Sequence, residues 1–279
     1  MKPVEPIDTV ELFLPLHNAL LTLLRNLSDE DWHKPTVARL WSVKDIVAHL
    51  LDGDVRRLSL HRDGLQDRAP ETPINSYQDL VAFLNQLNAD WVKAARRISP
   101  VLLIDLLALT GPQVYVFFKT LDPFAPAFFP VAWAGDTQSP NWFDIAREYT
   151  EKWHHQQQIR DAVGAPGLTT RRWLHPTLDT FMRGLPHHYR DVEADEGQCV
   201  TFFITGEAGD RWTLRKETAA WKLYVGSTAE AAAHVRFNQD TAWRLFTKGL
   251  SPEEARSRIL VEGDETLGTH VLDLLAVMA

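Results

Sequence analysis

Residues 141–164 read NWFDIAREYTEKWHHQQQIRDAVG, and this stretch decides how the chain around it is read. Ser139 suits a helix N-cap, Pro140 suits the first helical position, and Gly164 followed by Pro166 suits the end. The spacing predicts one helix over 141–163. Within it Glu151 and His155 stand four residues apart, so their side chains lie one turn apart on a single face. A carboxylate and an imidazole placed in this way can share one divalent ion. The same spacing also suits a solvated ion pair, and His154 competes for the role of the imidazole. Being adjacent, His154 points about 100° away around the helix, which favours His155. Glu148 falls near the same stripe, as an outer partner or a solvated acid.

Upstream the pattern is helical. Apolar residues recur at helical spacing over 8–27, with Pro15 marking a start or a kink. In WSVKDIVAHLLDGDVRRLSLH (41–61), Ser42 and Asp45 form a capping signature ahead of Val43, Ile46, Val47 and Leu50. Ser76 and Asp79 repeat it before Leu80, Phe83, Leu84, Leu87 and Trp91, and the apolar run 101–121 reads as a buried helix. A further short helix is expected over 176–185. His49 sits inside the second helix beside Leu50 and Leu51, where an unpaired imidazole is unfavourable. It is the natural third ligand, although a lone helical histidine also fits an ordinary core residue. Two histidines, one glutamate and an open position make the ligand set of a catalytic zinc-type site. The irregular stretch 122–140, DPFAPAFFPVAWAGDTQSP, places Phe124, Phe128, Phe129 and Trp133 either as a wall over such a site or as anchors of the loop. Trp41, Trp91, Trp142 and Trp153 read as core.

Downstream the character changes. An acidic linker, DVEADEGQ (191–198), precedes strands expected at 199–205, 211–216, 221–225, 234–237 and 259–262, with helices at 240–248, 252–258 and 265–278. The fold class is therefore a mainly α N-terminal domain, 1–190, followed by a small α+β C-terminal domain, 191–279.

The 279 residues are 45% hydrophobic and 24% charged, with a net charge of −8. That balance argues against nucleic acid as a partner. The apolar runs 101–109 and 272–278 are too short or too interrupted to span a bilayer, and the first residues lack the pattern of a signal peptide, so no membrane association is expected. Cys199 is the single cysteine, which fits a reducing, cytoplasmic setting and a buried inert thiol. His187–His188 and Arg171–Arg172 read as solvated pairs.

WSVKDIVAHL resembles the W-[ST]-V-x-D-[VIL]-x-x-H-L segment of the mycothiol-dependent maleylpyruvate isomerase-like proteins. EKWHHQQQIRDAVG resembles their second signature, and FNQDTAWRLFTKGLSPEEARSRILVEGDETLGTHVLDLLAVM (237–278) is similar to their C-terminal domain, itself loosely like sterol-carrier folds. The resemblance implies a DinB-like four-helix bundle holding one divalent metal on His49, Glu151 and His155, zinc first, with nickel, iron or cobalt as alternatives. It further implies a low-molecular-weight thiol as cosubstrate, and isomerisation or S-transfer on a small electrophilic substrate. The family pattern often has an acidic residue three positions after the second histidine, where this chain has Gln158. The isomerase also uses a C-terminal-domain arginine, for which Arg236, Arg244, Arg256 and Arg258 are all candidates. A metal-assisted hydrolase and a non-catalytic small-ligand-binding or stress-response module are the alternatives. Spare apolar helix faces make a homodimer a further expectation.

Overall fold

The computed structural model describes residues 1–66 and 73–277, so the last residue of the helix expected over 265–278 lies outside them. The chain falls into two compact units. One comprises Thr9–Phe128 with Glu151–Gly167, and the other Met1–Asp8, Phe129–Thr150 and Leu168–Val277.

The first unit is a helical bundle. Helix α1 spans Val10–Arg25, α2 Val43–Arg56, α3 Tyr77–Ala95 and α4 Pro100–Phe118, and a π-helical turn, Arg57–Arg62, extends α2. The C-terminal part of α5, Asn141–Val163, completes it. Sequence chemistry sets the helix starts. Ser42 accepts from the Asp45 backbone N–H while Asp45 reaches back to the N–H of Ser42, closing the expected capping box. Ser76 caps α3 through Asp79 N–H, and Asp79 turns to the Asn75 N–H instead. Helix α1 runs through Pro15 from Val10, five residues ahead of the proline. Helices α1 and α2 pack on α4, and α3 on α2. The core holds Leu20, Leu24, Ile46, Val47, Leu103, Leu107 and Ile159, the last from α5. Fully buried leucines such as Leu103 contribute roughly 1.5–3 kcal/mol each. Among the described residues α4 is the one helix long and apolar enough to cross a membrane. It is not buried all round as expected: Leu103, Leu107, Val114 and Phe118 face inward, while Val101, Leu109 and Val116 are exposed.

The second unit carries a six-stranded mixed sheet. Its strands are β1 (Lys2–Pro3), β2 (Cys199–Thr205), β3 (Arg211–Lys216), β4 (Trp221–Val225), β5 (Ala233–Asn238) and β6 (Leu260–Gly263), in the order β1-β4-β3-β2-β5-β6. Among the described residues only β2 and β5 pair in parallel. Alternation places Val200, Phe202, Ile204, Trp212, Leu214, Val235 and Phe237 on the buried face. Helices α6 (Arg171–Met182), α7 (Leu185–His188), α8 (Gln239–Phe246), α9 (Pro252–Arg256) and α10 (Glu265–Thr269) belong to this unit.

Several boundaries differ from expectation: the helix expected over 176–185 is α6 (Arg171–Met182) with the short α7 after it, that over 101–121 ends at Phe118, and that over 252–258 ends at Arg256. Pro140, not Ser139, caps α5: its carbonyl accepts from the Phe143 and Asp144 N–H groups, and the Ser139 hydroxyl is engaged by the Val131 N–H. The terminal helix stops at α10 and continues only as a 3-10 turn, His270–Asp273. Leu274, Ala276 and Val277 are nonetheless buried, and the Ala276 N–H donates to the Phe246 carbonyl. An apolar tail buried in this way, with its backbone paired outside itself, has no need of helical bonds.

Candidate metal centre

The centre lies within the helical bundle. The capping box fixes the start of α2, and seven residues after Ser42 the helix presents His49, between buried Ala48 and Leu50. The His49 Nδ1 is buried without a hydrogen-bond partner. On α5, Glu151 and His155 meet as the four-residue spacing requires, with Glu151 Oε2 3.4 Å from His155 Nε2. One ligand atom from each of His49, Glu151 and His155 lies within 4.8 Å of the others. The His49 and His155 rings are edge to face, with centroids 4.8 Å apart.

Gln158 orients the His155 ring. Its Oε1 lies 2.8 Å from His155 Nδ1 and can only accept, so the imidazole proton sits on Nδ1. His155 Nε2 faces the Glu151 carboxylate, where it is a metal ligand when unprotonated and an ion-pair donor when protonated. Burial, followed by the neighbouring His155, pushes His49 well below the usual imidazole range, keeping it neutral, the form that binds metals. Around a tetrahedral ion with bonds of about 2.0–2.1 Å, ligand atoms stand about 3.3 Å apart. The Glu151–His155 pair already has that spacing, and His49 offers a third donor atom within 4.8 Å. The residues present therefore fit a divalent cation.

Trp41, read as core, is only partly buried and lies with its ring centroid 4.8 Å from that of His49. His154 is buried and outside the cluster, although its ring touches that of His155 at 3.9 Å. Glu148 is not a solvated acid: it is buried and ion-paired with Arg147, which also holds Asp144. In the loop, Trp133 is buried against Phe143, which fits the anchoring reading; Phe128 stacks on His61, and Phe124 is exposed. Arg244 pairs with Asp240 and Arg256 with Glu265.

Sequence reasoning passed over a second polar cluster in the same unit. Lys152 Nζ donates to Asp54, which is fully buried, and the Thr110 hydroxyl donates to the other carboxylate oxygen at 2.8 Å. Lys152 and Gln156 also line a cavity of about 10 Å³ with buried His17, whose pKa burial lowers to about 4. Gly111 makes room there, since a Cβ at that position would lie 2.2 Å from the His17 ring. Lys152 and Asp54 stand 98 residues apart on different helices, so no local signal marks the pair.

The fold has known relatives. The chain superposes on the crystal structure of the mycothiol-dependent maleylpyruvate isomerase with a TM-score of 0.50 at 11% identity, covering 85% of this chain and 88% of that one. A histidine-to-alanine mutant of that isomerase gives a TM-score of 0.50 at 12% identity over the same shares. No curated protein matches the sequence. The family model for the mycothiol maleylpyruvate isomerase N-terminal domain matches residues 13–160, just over half the chain and the span containing all three clustered residues. The sequence signatures, the bundle and the family match agree, and the chain belongs to the mycothiol maleylpyruvate isomerase N-terminal domain family.

Proposed function

We propose that this chain is a metal-dependent enzyme that uses a low-molecular-weight thiol to isomerise, or transfer sulfur to, a small electrophilic substrate. The observation that carries the reading is the convergence of His49, Glu151 and His155 ligand atoms within 4.8 Å, with one of the nitrogens buried and unpartnered. Family membership and the mycothiol dependence of the solved relatives support the thiol. A divalent ion held by the three residues, zinc by its ligand preference, would supply a Lewis acid that lowers the pKa of a bound thiol.

The protein's own part is positional. Gln158 fixes the His155 tautomer so that Nε2 points toward Glu151. Glu151 brings one negative charge to balance a cation among neutral imidazoles. Trp41 packs its ring beside that of His49.

Elemental analysis of the purified protein tests the ligand set. One equivalent of metal is expected in the parent chain and almost none in Glu151→Ala, His155→Ala or His49→Ala after dialysis. Full metal retained by both α5 variants would reject the assignment. Turnover of a maleylpyruvate-type substrate only on addition of mycothiol is the expected activity; equal turnover without thiol would reject the thiol role while leaving the metal assignment standing.

A further inference from the structure

Helix α4 keeps one face out of the bundle. Leu103, Leu107, Gly111, Val114 and Phe118 are buried and recur at steps of three or four residues, as one side of a helix does. On the opposite side the same spacing runs through Leu102, Asp105, Leu109, Pro112 and Val116. Leu102 is 48% exposed, Leu109 62% and Val116 60%, and Val101 beside them 69%. Single exposed apolar residues are ordinary on a folded chain, but a contiguous row along one helix marks an interaction surface.

The two halves of the row differ. Toward its C-terminal end Pro112, Val116 and Phe117 line an open apolar groove of about 570 Å³, with Arg62 of the π-helical turn at the edge. Arg62 donates to Gln113 Oε1 at 2.8 Å and pairs with its exposed neighbour Asp63. Toward the N-terminal end Val101 and Leu102 project as knobs. Asp105 follows them, exposed and, among the described residues, paired with no cation. One half thus offers apolar knobs and a negative charge, and the other a groove and a positive charge.

We propose that a second copy of this chain docks here, the two α4 helices lying antiparallel about a two-fold axis near Leu109. That symmetry lays the N-terminal half of each helix on the C-terminal half of the other, so every contact is made twice. Val101 and Leu102 of each copy enter the groove of the other, and Asp105 comes to the edge that Arg62 of the second copy lines. Leu109 meets its own counterpart at the centre. Apolar rows at alternating three- and four-residue steps are what two helices pack through. A lipid surface is the rival occupant of such a row, but it would draw Asp105 out of water with no cation to meet it. The proposal uses none of the residues of the metal reading and stands or falls independently of it.

Sedimentation velocity of the full-length protein, over about 1–300 µM, tests it; a monomer–dimer equilibrium in the micromolar range is expected for an interface of this small size. Leu109→Lys opposes two ammonium groups at the axis and should weaken dimerisation by at least about a hundredfold. Asp105→Arg and Arg62→Glu should each weaken it by at least about tenfold, and the two combined should restore it to within about threefold of the parent. Leu260→Lys, at an exposed leucine of β6, should leave it unchanged. All these side chains lie at the surface, and circular dichroism melts matching the parent would show the variants folded. A parent chain monomeric at the highest concentration, a dimer indifferent to Leu109→Lys, or an equal loss in Leu260→Lys would each overturn the proposal. So would a double charge variant no better than the single ones, or a monomer that sediments with phosphatidylglycerol vesicles.

Discussion

Two polar clusters sit inside the same helical bundle, both built from α2 and α5, and their bonding differs. In one, Asp54 receives Lys152 and Thr110, so a fully buried charge is matched by a cation and a hydroxyl. In the other, His49 Nδ1 is buried without a partner, and Glu151 Oε2 lies 3.4 Å from His155 Nε2. Burying a polar group without a partner costs free energy, and a bound ligand can offset that cost. The first cluster pairs its charges within the chain, whereas the second is completed, on the proposed reading, by a cation. That contrast, rather than the presence of histidine and carboxylate as such, separates a structural network from a candidate site.

The contrast can be broken by measurement. The largest effect expected is the loss of metal from the Glu151 and His155 variants; parallel loss from Asp54→Ala would show that the two clusters are one. Asp54→Ala should instead strand the Lys152 charge and cost about 3–5 kcal/mol in urea unfolding. The double change Asp54→Ala with Lys152→Met should recover much of that, and failure to recover would mean that the ion pair is not the source.

His17 supplies the next effect. Its folded pKa of about 4 lies below the ordinary 6.5, so the unfolded chain takes up the proton first. Its contribution is complete above pH 6.5 and is lost as pH falls toward 4, by about 3 kcal/mol at that limit. Asp54 opposes this shift, while Lys152 and Arg25 reinforce it. A His17→Phe chain should show a flatter stability curve between these pH values, and an unchanged curve would exclude His17 as its cause. Smallest is Gln158→Leu, which removes the acceptor behind His155 and should weaken metal affinity by about 10- to 100-fold in a competition titration without unfolding the protein.

What could be read in advance follows a physical division. Helix caps and strand alternation are local, so the Ser42–Asp45 box and the first three strands of the C-terminal region, 199–205, 211–216 and 221–225, are recovered with their boundaries. Glu151 and His155 were legible as a pair because one turn of helix determines their proximity, and the same geometry set His154 aside. The Asp54–Lys152 pair was not legible, since nothing near either residue announces a partner on another helix. The apolar tail from Leu274 to Val277 misled for a related reason. Hydrophobicity reports that a segment is buried, but the Phe246 carbonyl that receives Ala276 is visible only once the chain is folded.

The capping box that begins α2 also works as a ruler. Ser42 and His49 are seven residues apart, close to two full turns, so the cap and the imidazole share nearly the same bearing around the helix axis. Substitutions between them leave that bearing untouched. A single inserted or deleted residue would swing the imidazole by about 100° and take it out of reach of α5. The segment WSVKDIVAHL therefore tolerates spelling changes but no change of length, and an engineered graft of this centre must carry the interval whole.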